Sequence, residues 1–153
     1  MRLWLLRHGQ AEPQAGSDVL RRLTTRGRAE VLQSAAHLLE GPLETILCSP
    51  YVRARQTAEL VVEALRCRLI VEIVPWLTPE NSPREVLDRL YARSEAKILL
   101  VSHQPLIGDL GGLLEHGHRQ QPLPMKTASL AGFDGDLLLA GGMRLDTLFH
   151  PYS

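Results

Sequence analysis

The stretch Leu3-Trp4-Leu5-Leu6-Arg7-His8-Gly9 joins a short apolar run to an arginine, a histidine and a glycine. Such a run predicts a buried strand, here over residues 2–7. Open α/β sheets bind ligands at the carboxyl ends of their parallel strands. Gly9 permits a sharp turn and a close approach to an anion. A cation beside an imidazole suits a histidine nucleophile that attacks a phosphoryl group, so we interpret this strand end as part of a phosphate site.

Strands and helices alternate along most of the chain. Hydrophobic periodicity predicts strands over 2–7, 44–48, 69–74 and 97–102 and helices over 25–39, 51–65, 83–93 and 105–115. Two last strands are expected near 127–133 and 136–148, joined by a tight turn at Asp134-Gly135. The order predicts a three-layer α/β/α sandwich with a mostly parallel mixed sheet, in a single domain covering residues 1–153.

Composition restricts the classes of partner. Lys plus Arg and Asp plus Glu number 17 each, so the formal net charge is zero and we expect no nucleic-acid partner. Arginines cluster locally around residues 21–28 and 53–55, which is compatible with a small anion site. No apolar run is long enough to span a bilayer, and the start lacks the features of a signal peptide. The two cysteines, Cys48 and Cys67, are interpreted as reduced structural thiols, so we expect a cytoplasmic protein without a membrane partner.

Three further segments carry residue types suited to the same chemistry. Residues 49–57 follow the second strand, residues 102–105 follow the most apolar strand, and residues 23–27 lie close in sequence to the first segment. Parallel strands would bring the first two of these to the edge that holds Arg7-His8-Gly9. Two histidines and at least two arginines would then share a pocket beside helix N-termini, which favour anions. Each residue alone has a common structural explanation, and only the joint pattern favours a phosphate site.

Taken together, the segments resemble the histidine phosphatase superfamily, the fold of cofactor-dependent phosphoglycerate mutases and many phosphatases. More narrowly, they resemble the small SixA-type protein phosphohistidine phosphatases. The resemblance is carried by Leu6–Ala11, Asp18–Gly27, Ser49–Glu59 and Val101–Gly108, in family order. It covers most of residues 1–110 and implies a phosphoglycerate mutase-like fold.

The resemblance also implies a role for individual residues. His8 matches the nucleophile that becomes phosphorylated, and Arg7 and Arg53 match the two arginines that hold the phosphoryl oxygens. His103 matches the second histidine, a hydrogen-bond or charge donor to the same group. Arg55 occupies a variable family position, and we interpret it as a rim residue that contacts or steers substrate.

The chemistry of phosphoryl transfer supports these assignments independently. It depends mostly on positioning and on stabilising charge on the equatorial oxygens, for which planar guanidinium groups are well suited. A neutral imidazole is nucleophilic near pH 7, and its other ring nitrogen should donate to a backbone carbonyl or a carboxylate. We therefore predict no metal and no other cofactor. His116-Gly117-His118 lacks nearby ligands at metal-site spacing, and His37 and His150 are interpreted as bystanders.

A general acid is harder to identify. The loop over residues 76–82 contains Glu80, and Glu12 lies near the first segment, but neither belongs to a clear acid motif. An alkoxide leaving group needs a proton, whereas the imidazole of phosphohistidine needs one much less. Because neither glutamate belongs to a clear general-acid motif, the sequence favours cleavage of P–N over P–O bonds.

Three functions remain open on the sequence. The leading one is a phosphohistidine phosphatase that acts on a histidine-phosphorylated protein, such as a phosphorelay or phosphotransfer component, and we expect it to be a monomer. The second is a phosphatase for a small phosphoester, which a working acid at Glu80 or Glu12 would support. The third is a module that binds phosphate without turnover.

Overall fold

The computed structural model describes residues 1–13 and 16–152, and these form a six-stranded sheet. The strands are β1 (Arg2–Arg7), β2 (Thr45–Cys48), β3 (Glu72–Ile73), β4 (Lys97–Ser102), β5 (Leu130–Asp134) and β6 (Arg144–Phe149). Their order across the sheet is β3-β2-β4-β1-β5-β6. The first four strands pair in parallel, and β5 and β6 complete one side in antiparallel pairing.

Helices cover both faces of the sheet. They are α1 (Thr25–Ala35), α2 (Val52–Leu65), α3 (Pro83–Tyr91) and α4 (Leu106–His116). The first two pack against one face and the last two against the other, and each face has its own apolar core. The predicted three-layer α/β/α sandwich with a mainly parallel sheet is confirmed.

The central strand β4 shows why the apolar run 98–101 is continuous. Ile98 and Leu100 pack with α3 and α4, whereas Leu99 and Val101 pack with α1 and α2. All four side chains are buried because a parallel strand between two helical layers exposes neither face. The same burial holds the strand ends in fixed positions at the edge where the site lies.

Two predicted elements are shorter than expected. The strand over 69–74 is limited to Glu72–Ile73, because this edge strand pairs only with Leu47 and Cys48 and leaves Ile70 89% exposed. The helix over 25–39 ends as an α-helix at Ala35, and the chain continues in a 3-10 turn, a common tightening at helix ends. Other helix and strand boundaries before residue 117 lie within two residues of the predicted ones.

The tight hairpin at Asp134-Gly135 is wrong. The final strands are β5 and β6, and residues 135–143 connect them. Leu138 and Met143 are buried in the core beside α4, and the Met143 amide donates to the Leu114 carbonyl. Because these two side chains are buried, the chain does not reverse direction at the predicted turn. The reversal is made nearer Gly141, whose φ of 71° is a left-handed value that favours glycine.

Within residues 1–13 and 16–152, no helix combines the length and the hydropathy needed to cross a membrane.

Candidate active site

Three neighbouring strands end at the candidate site. His8 follows β1, Ser49 follows β2 and His103 follows β4, and these strands lie side by side in the order β2-β4-β1. The imidazole rings of His8 and His103 meet edge to face with centroids 5.1 Å apart. The structure thus brings the two predicted histidines together at one edge of the sheet.

The hydrogen bonds of His8 determine which ring nitrogen is free. Its Nδ1 lies 2.7 Å from the Gly9 carbonyl oxygen, which can only accept, so Nδ1 carries the hydrogen. The lone pair is then on Nε2, and the Arg53 Nε–H donates to it at 3.3 Å. Burial lowers the pKa of His8 to about 3; the Gly9 hydrogen bond opposes the shift, and the charges of Arg53 and Arg7 add to it. His8 is therefore a neutral base whose Nε2 is available at neutral pH.

His103 is also neutral and buried. Its Nε2 lies 2.7 Å from the Ser49 hydroxyl, and its ring meets the edge of Tyr51. Burial, followed by the neighbouring His8 ring and the charge of Arg53, lowers the pKa of His103 to about 2. In the unliganded protein this side chain is a hydrogen-bonding group and not a cation.

The two predicted arginines approach the histidines from different elements. Arg53 lies in the first turn of α2 and is 5% exposed, and its Nη1 donates to the Asp18 carbonyl at 2.7 Å. Arg7 ends β1, and its Nη1 donates to the Met125 carbonyl at 2.8 Å. Burial lowers the pKa of Arg7, and the nearby Glu30 carboxylate opposes that shift.

Two buried nitrogens of this group have no hydrogen-bond partner among the described residues. They are Arg7 Nε and His103 Nδ1. Buried polar groups are normally paired, and an unpaired one costs about 1–3 kcal/mol. Both residues line the same cavity, so the two unpaired nitrogens lie in the walls of a site rich in cationic and hydrogen-bonding groups.

The cavity has a volume of about 470 Å³. Its lining includes Arg7, His8, Asp18, Arg53 and His103. A second cavity, of about 610 Å³, lies around the start of β1 and of β4 and contains none of the predicted site residues. The convergence of imidazoles and guanidinium groups therefore identifies the smaller cavity as the candidate active site.

Sequence reasoning missed two residues that hold the site together. Thr57, one turn after Arg53, accepts from the Gly9 amide at 3.1 Å and donates to the Arg53 carbonyl at 2.8 Å. Glu30 is 6% exposed and accepts from the Gln10 amide at 2.9 Å, and it also accepts from the Thr127 hydroxyl. A carboxylate on the buried face of the amphipathic helix α1 was the available signal for Glu30.

Other predicted candidates are not among the residues that line the cavity. Arg55 is exposed on α2 and is not among the lining residues. Glu12 and Glu80 are also exposed and do not line the cavity. His116 and His118 stack with ring centroids 5.9 Å apart, and in the described parts of the chain no three metal-binding side chains form a cluster.

Comparison with known proteins gives matching results. Residues 3–77 match the model of the histidine phosphatase superfamily (branch 1). A phosphohistidine phosphatase SixA homolog from Haemophilus influenzae is 31% identical over 165 residues, covering 100% of this chain and 96% of that protein. Phosphohistidine phosphatase SixA from Escherichia coli is 38% identical over 116 residues, covering 72% of this chain and 71% of that protein.

Similarity also extends to three dimensions. The structure of the protein histidine phosphatase SixA complexed with tungstate superposes with a TM-score of 0.89 at 33% identity, covering 99% of this chain and 97% of that one. Sequence similarity along whole chains and a common fold agree. The chain belongs to the histidine phosphatase superfamily and, within it, to the SixA-type group.

Proposed function

We propose that this protein is a phosphohistidine phosphatase that removes the phosphoryl group from phosphohistidine on another protein. The observation that carries the proposal is the geometry of His8. Its unprotonated Nε2 lies 3.3 Å from the Arg53 guanidinium, in a cavity that Arg7 and His103 also line. A neutral nucleophile beside fixed cations is what transfer of an anionic phosphoryl group requires.

The reaction has two steps. The lone pair of His8 Nε2 attacks phosphorus, and the P–N bond of the substrate breaks with its electron pair going to the substrate ring nitrogen. Water then attacks the phosphorus on His8. The electron pair of that N–P bond returns to Nε2, and the oxygen and both protons of the water leave in the released dihydrogen phosphate. The hydrogen bond from Nδ1 to the Gly9 carbonyl keeps the ring in one tautomer through both steps.

Arg7, Arg53 and His103 stabilise the charge on the transferring oxygens. The side chains of Arg7 and His103 line the cavity together with the Arg53 guanidinium. A bound phosphoryl dianion favours protonation of a nearby imidazole, so its arrival raises the pKa of His103 from its depressed value. The protonated His103 can then donate a hydrogen bond to the phosphoryl oxygens as negative charge develops on them.

The carboxylates near the cavity favour a substrate that needs no general acid. Asp18 is the only carboxylate among the described lining residues. A hydrogen bond from Arg21 is the largest cause that holds the pKa of Asp18 below its usual range, so this carboxyl has no proton to give at neutral pH. An imidazole leaves without a strong acid, whereas an alkoxide does not.

The substrate is a protein in this proposal. Relatives named phosphohistidine phosphatase cover most of this chain. Val19 and Leu20 follow Asp18 directly and are 41% and 54% exposed, which suits contact with a protein surface. A phosphorelay or phosphotransfer component is the proposed partner. The single-domain organisation, the monomeric state and the cytoplasmic location stay predictions.

The proposal is tested by comparing substrates on one purified sample. We expect a phosphohistidine peptide to be turned over with a higher kcat/KM than phosphoserine peptides and small phosphate esters. Arg53→Ala should lower kcat/KM on the order of 10²–10³-fold, because it removes a buried cation from the transition state. Arg55→Ala, two residues along the same helix and exposed, is the matched control and should lose much less.

Two outcomes would contradict the proposal. Preferential turnover of a small phosphoester would favour the alternative phosphatase, and binding of phosphohistidine without turnover would favour a non-catalytic module. A larger loss from Arg55→Ala than from Arg53→Ala would show that the arginines are wrongly assigned.

A further inference from the structure

A carboxylate lies among the cations of the phosphate cavity. Asp18 Oδ2 is 3.3 Å from Arg53 Nη2, and Asp18 Oδ1 is 3.0 Å from Arg21 Nη1. The Asp18 carbonyl accepts from Arg53 Nη1 as well, so the backbone already holds this guanidinium in place. The side chain of Asp18 is 57% exposed although it lines the cavity.

An anion in this position is unfavourable for binding a phosphoryl group. It repels the phosphoryl oxygens and competes with them for Arg53, and like charges at close range destabilise each other. Fixing Arg53 does not explain the carboxylate fully, because the Asp18 carbonyl makes the shorter contact, at 2.7 Å against 3.3 Å. A carboxylate in an oxyanion cavity is instead suited to a part of the substrate that is not the phosphoryl group.

We propose that Asp18 determines specificity by accepting a hydrogen bond from the imidazole N–H of the phosphohistidine substrate. This inference rests on the proposed function. The Arg53 guanidinium spans the site, with Nε on His8 Nε2 and Nη2 on the Asp18 carboxylate. The carboxylate is therefore one guanidinium away from the attacking nitrogen, and its 57% exposed side chain is accessible to a substrate.

The contact would act on the leaving group. A carboxylate beside the ring nitrogen that is not bonded to phosphorus favours the protonated, imidazolium form of phosphohistidine. When His8 Nε2 attacks, the P–N bond breaks and its electron pair neutralises the imidazolium, so a neutral imidazole departs. His8 takes the complementary path, from neutral imidazole to phosphorylated imidazolium, and no proton need be transferred in this step.

The same carboxylate would select against phosphate esters. An ester oxygen offers no N–H to Asp18, and it develops negative charge as it leaves. The ionised carboxylate repels that charge and has no proton for it. One side chain thus favours P–N cleavage and disfavours P–O cleavage.

The test compares Asp18→Asn with the wild-type protein in two measurements. The first is kcat/KM for a phosphohistidine peptide, and the second is the dissociation constant of tungstate, an oxyanion with no N–H. We expect kcat/KM to fall on the order of 10- to 100-fold, the worth of a hydrogen bond to a charged group. Tungstate should bind as tightly as before or more tightly, because the cavity loses a negative charge.

The pH profile provides a further readout. In the substrate complex His103 also titrates, because the bound phosphoryl group raises its pKa from the depressed value. The descending limb of kcat also includes loss of the proton from the bound substrate ring. Without the carboxylate that proton is held less tightly, so the limb should move to lower pH in Asp18→Asn. Asp146→Asn is the matched control; it removes a carboxylate that pairs with Arg2, outside the cavity, and should change neither measurement.

Each contrary result has a distinct meaning. Weaker tungstate binding together with slower turnover would overturn the inference and show that Asp18 only positions Arg53. Unchanged turnover of phosphohistidine would overturn it as well. Absence of phosphohistidine turnover in the wild-type protein would refute the proposed function, and with it this inference, before any variant is compared.

Discussion

At the scale of single residues, the protonation of His8 decides whether the site holds a nucleophile. Its Nδ1 is committed to the Gly9 carbonyl, and burial with two nearby guanidinium groups lowers its pKa to about 3. A lowered pKa means that the neutral form predominates at every pH above that value. The proposed nucleophile is therefore neutral from neutral to mildly acidic pH, unlike a free histidine, which is half protonated near pH 6.5.

Nitrogen NMR of ¹⁵N-labelled protein tests this protonation state directly. We expect His8 to show a protonated Nδ1 and an unprotonated Nε2 between pH 8 and about 5, because the surrounding charge and burial disfavour the imidazolium. His37, which is exposed on the surface, provides an internal comparison in the same spectra. Titration of His8 with a midpoint near 6.5, or the opposite tautomer, would contradict the account.

Residue identities at the site could be predicted where the motif places them directly after strands, as for His8 and His103. The partners that tune them could not. Thr57, Glu30 and the carboxylate of Asp18 act through contacts that depend on how helix α1, helix α2 and the 3-10 turn at Asp18–Leu20 pack together. Hydrophobic periodicity indicates which face of a helix is buried but not which polar group it meets.

At the scale of elements, the start of α1 is packed against the loop after β1 with almost no space between backbones. A Cβ on Gly27 would lie 2.0 Å from the Gln10 carbonyl oxygen, and a Cβ on Gly9 would lie 2.5 Å from the Gly27 carbonyl oxygen. Thr24 caps this helix by accepting from the Gly27 amide. The loop that carries His8 is thus held against α1 by close contact.

Gly27→Ala tests the importance of this contact. Alanine favours a helix interior over glycine by about 1 kcal/mol, but the contact with backbone atoms forces the loop to move, at a typical cost of about 1–3 kcal/mol. We expect a net loss of stability in urea unfolding and weaker tungstate binding. Gly41→Ala, whose Cβ would meet nothing within 4 Å, is the control. Equal stability of the two variants would contradict the packing argument.

The elements whose bounds follow from neighbouring residues in the sequence were predicted well. The elements whose bounds depend on contacts with residues far along the chain were not. The continuous apolar run of β4 and the Ser82-Pro83 start of α3 are read from neighbouring residues. The length of β3 depends on the partner strand beside it, and the β5–β6 connection depends on burial of Leu138 and Met143 near α4. Such contacts bring together residues that are far apart in sequence.

At the scale of the whole molecule, the strand order creates the site. Strand β4 lies between β1 and β2 in the sheet. The ends of these three strands are therefore neighbours, although more than forty residues separate one from the next along the chain. Parallel strands predicted a shared edge, but periodicity could not predict which strands are neighbours. The zero net charge is likewise compatible with the cavity, because Arg7, Arg21 and Arg53 line it together with one carboxylate among the described lining residues.

Covalent transfer to His8 is the central claim of this account, and isotope labelling tests it most directly. A peptide carrying ³²P-phosphohistidine is mixed with the protein for a single turnover, quenched without acid, and the labelled site is mapped. We predict an acid-labile label on His8, which disappears in His8→Ala while tungstate binding largely persists. Normal turnover by His8→Ala, or a label on Ser49 or another residue, would contradict the mechanism.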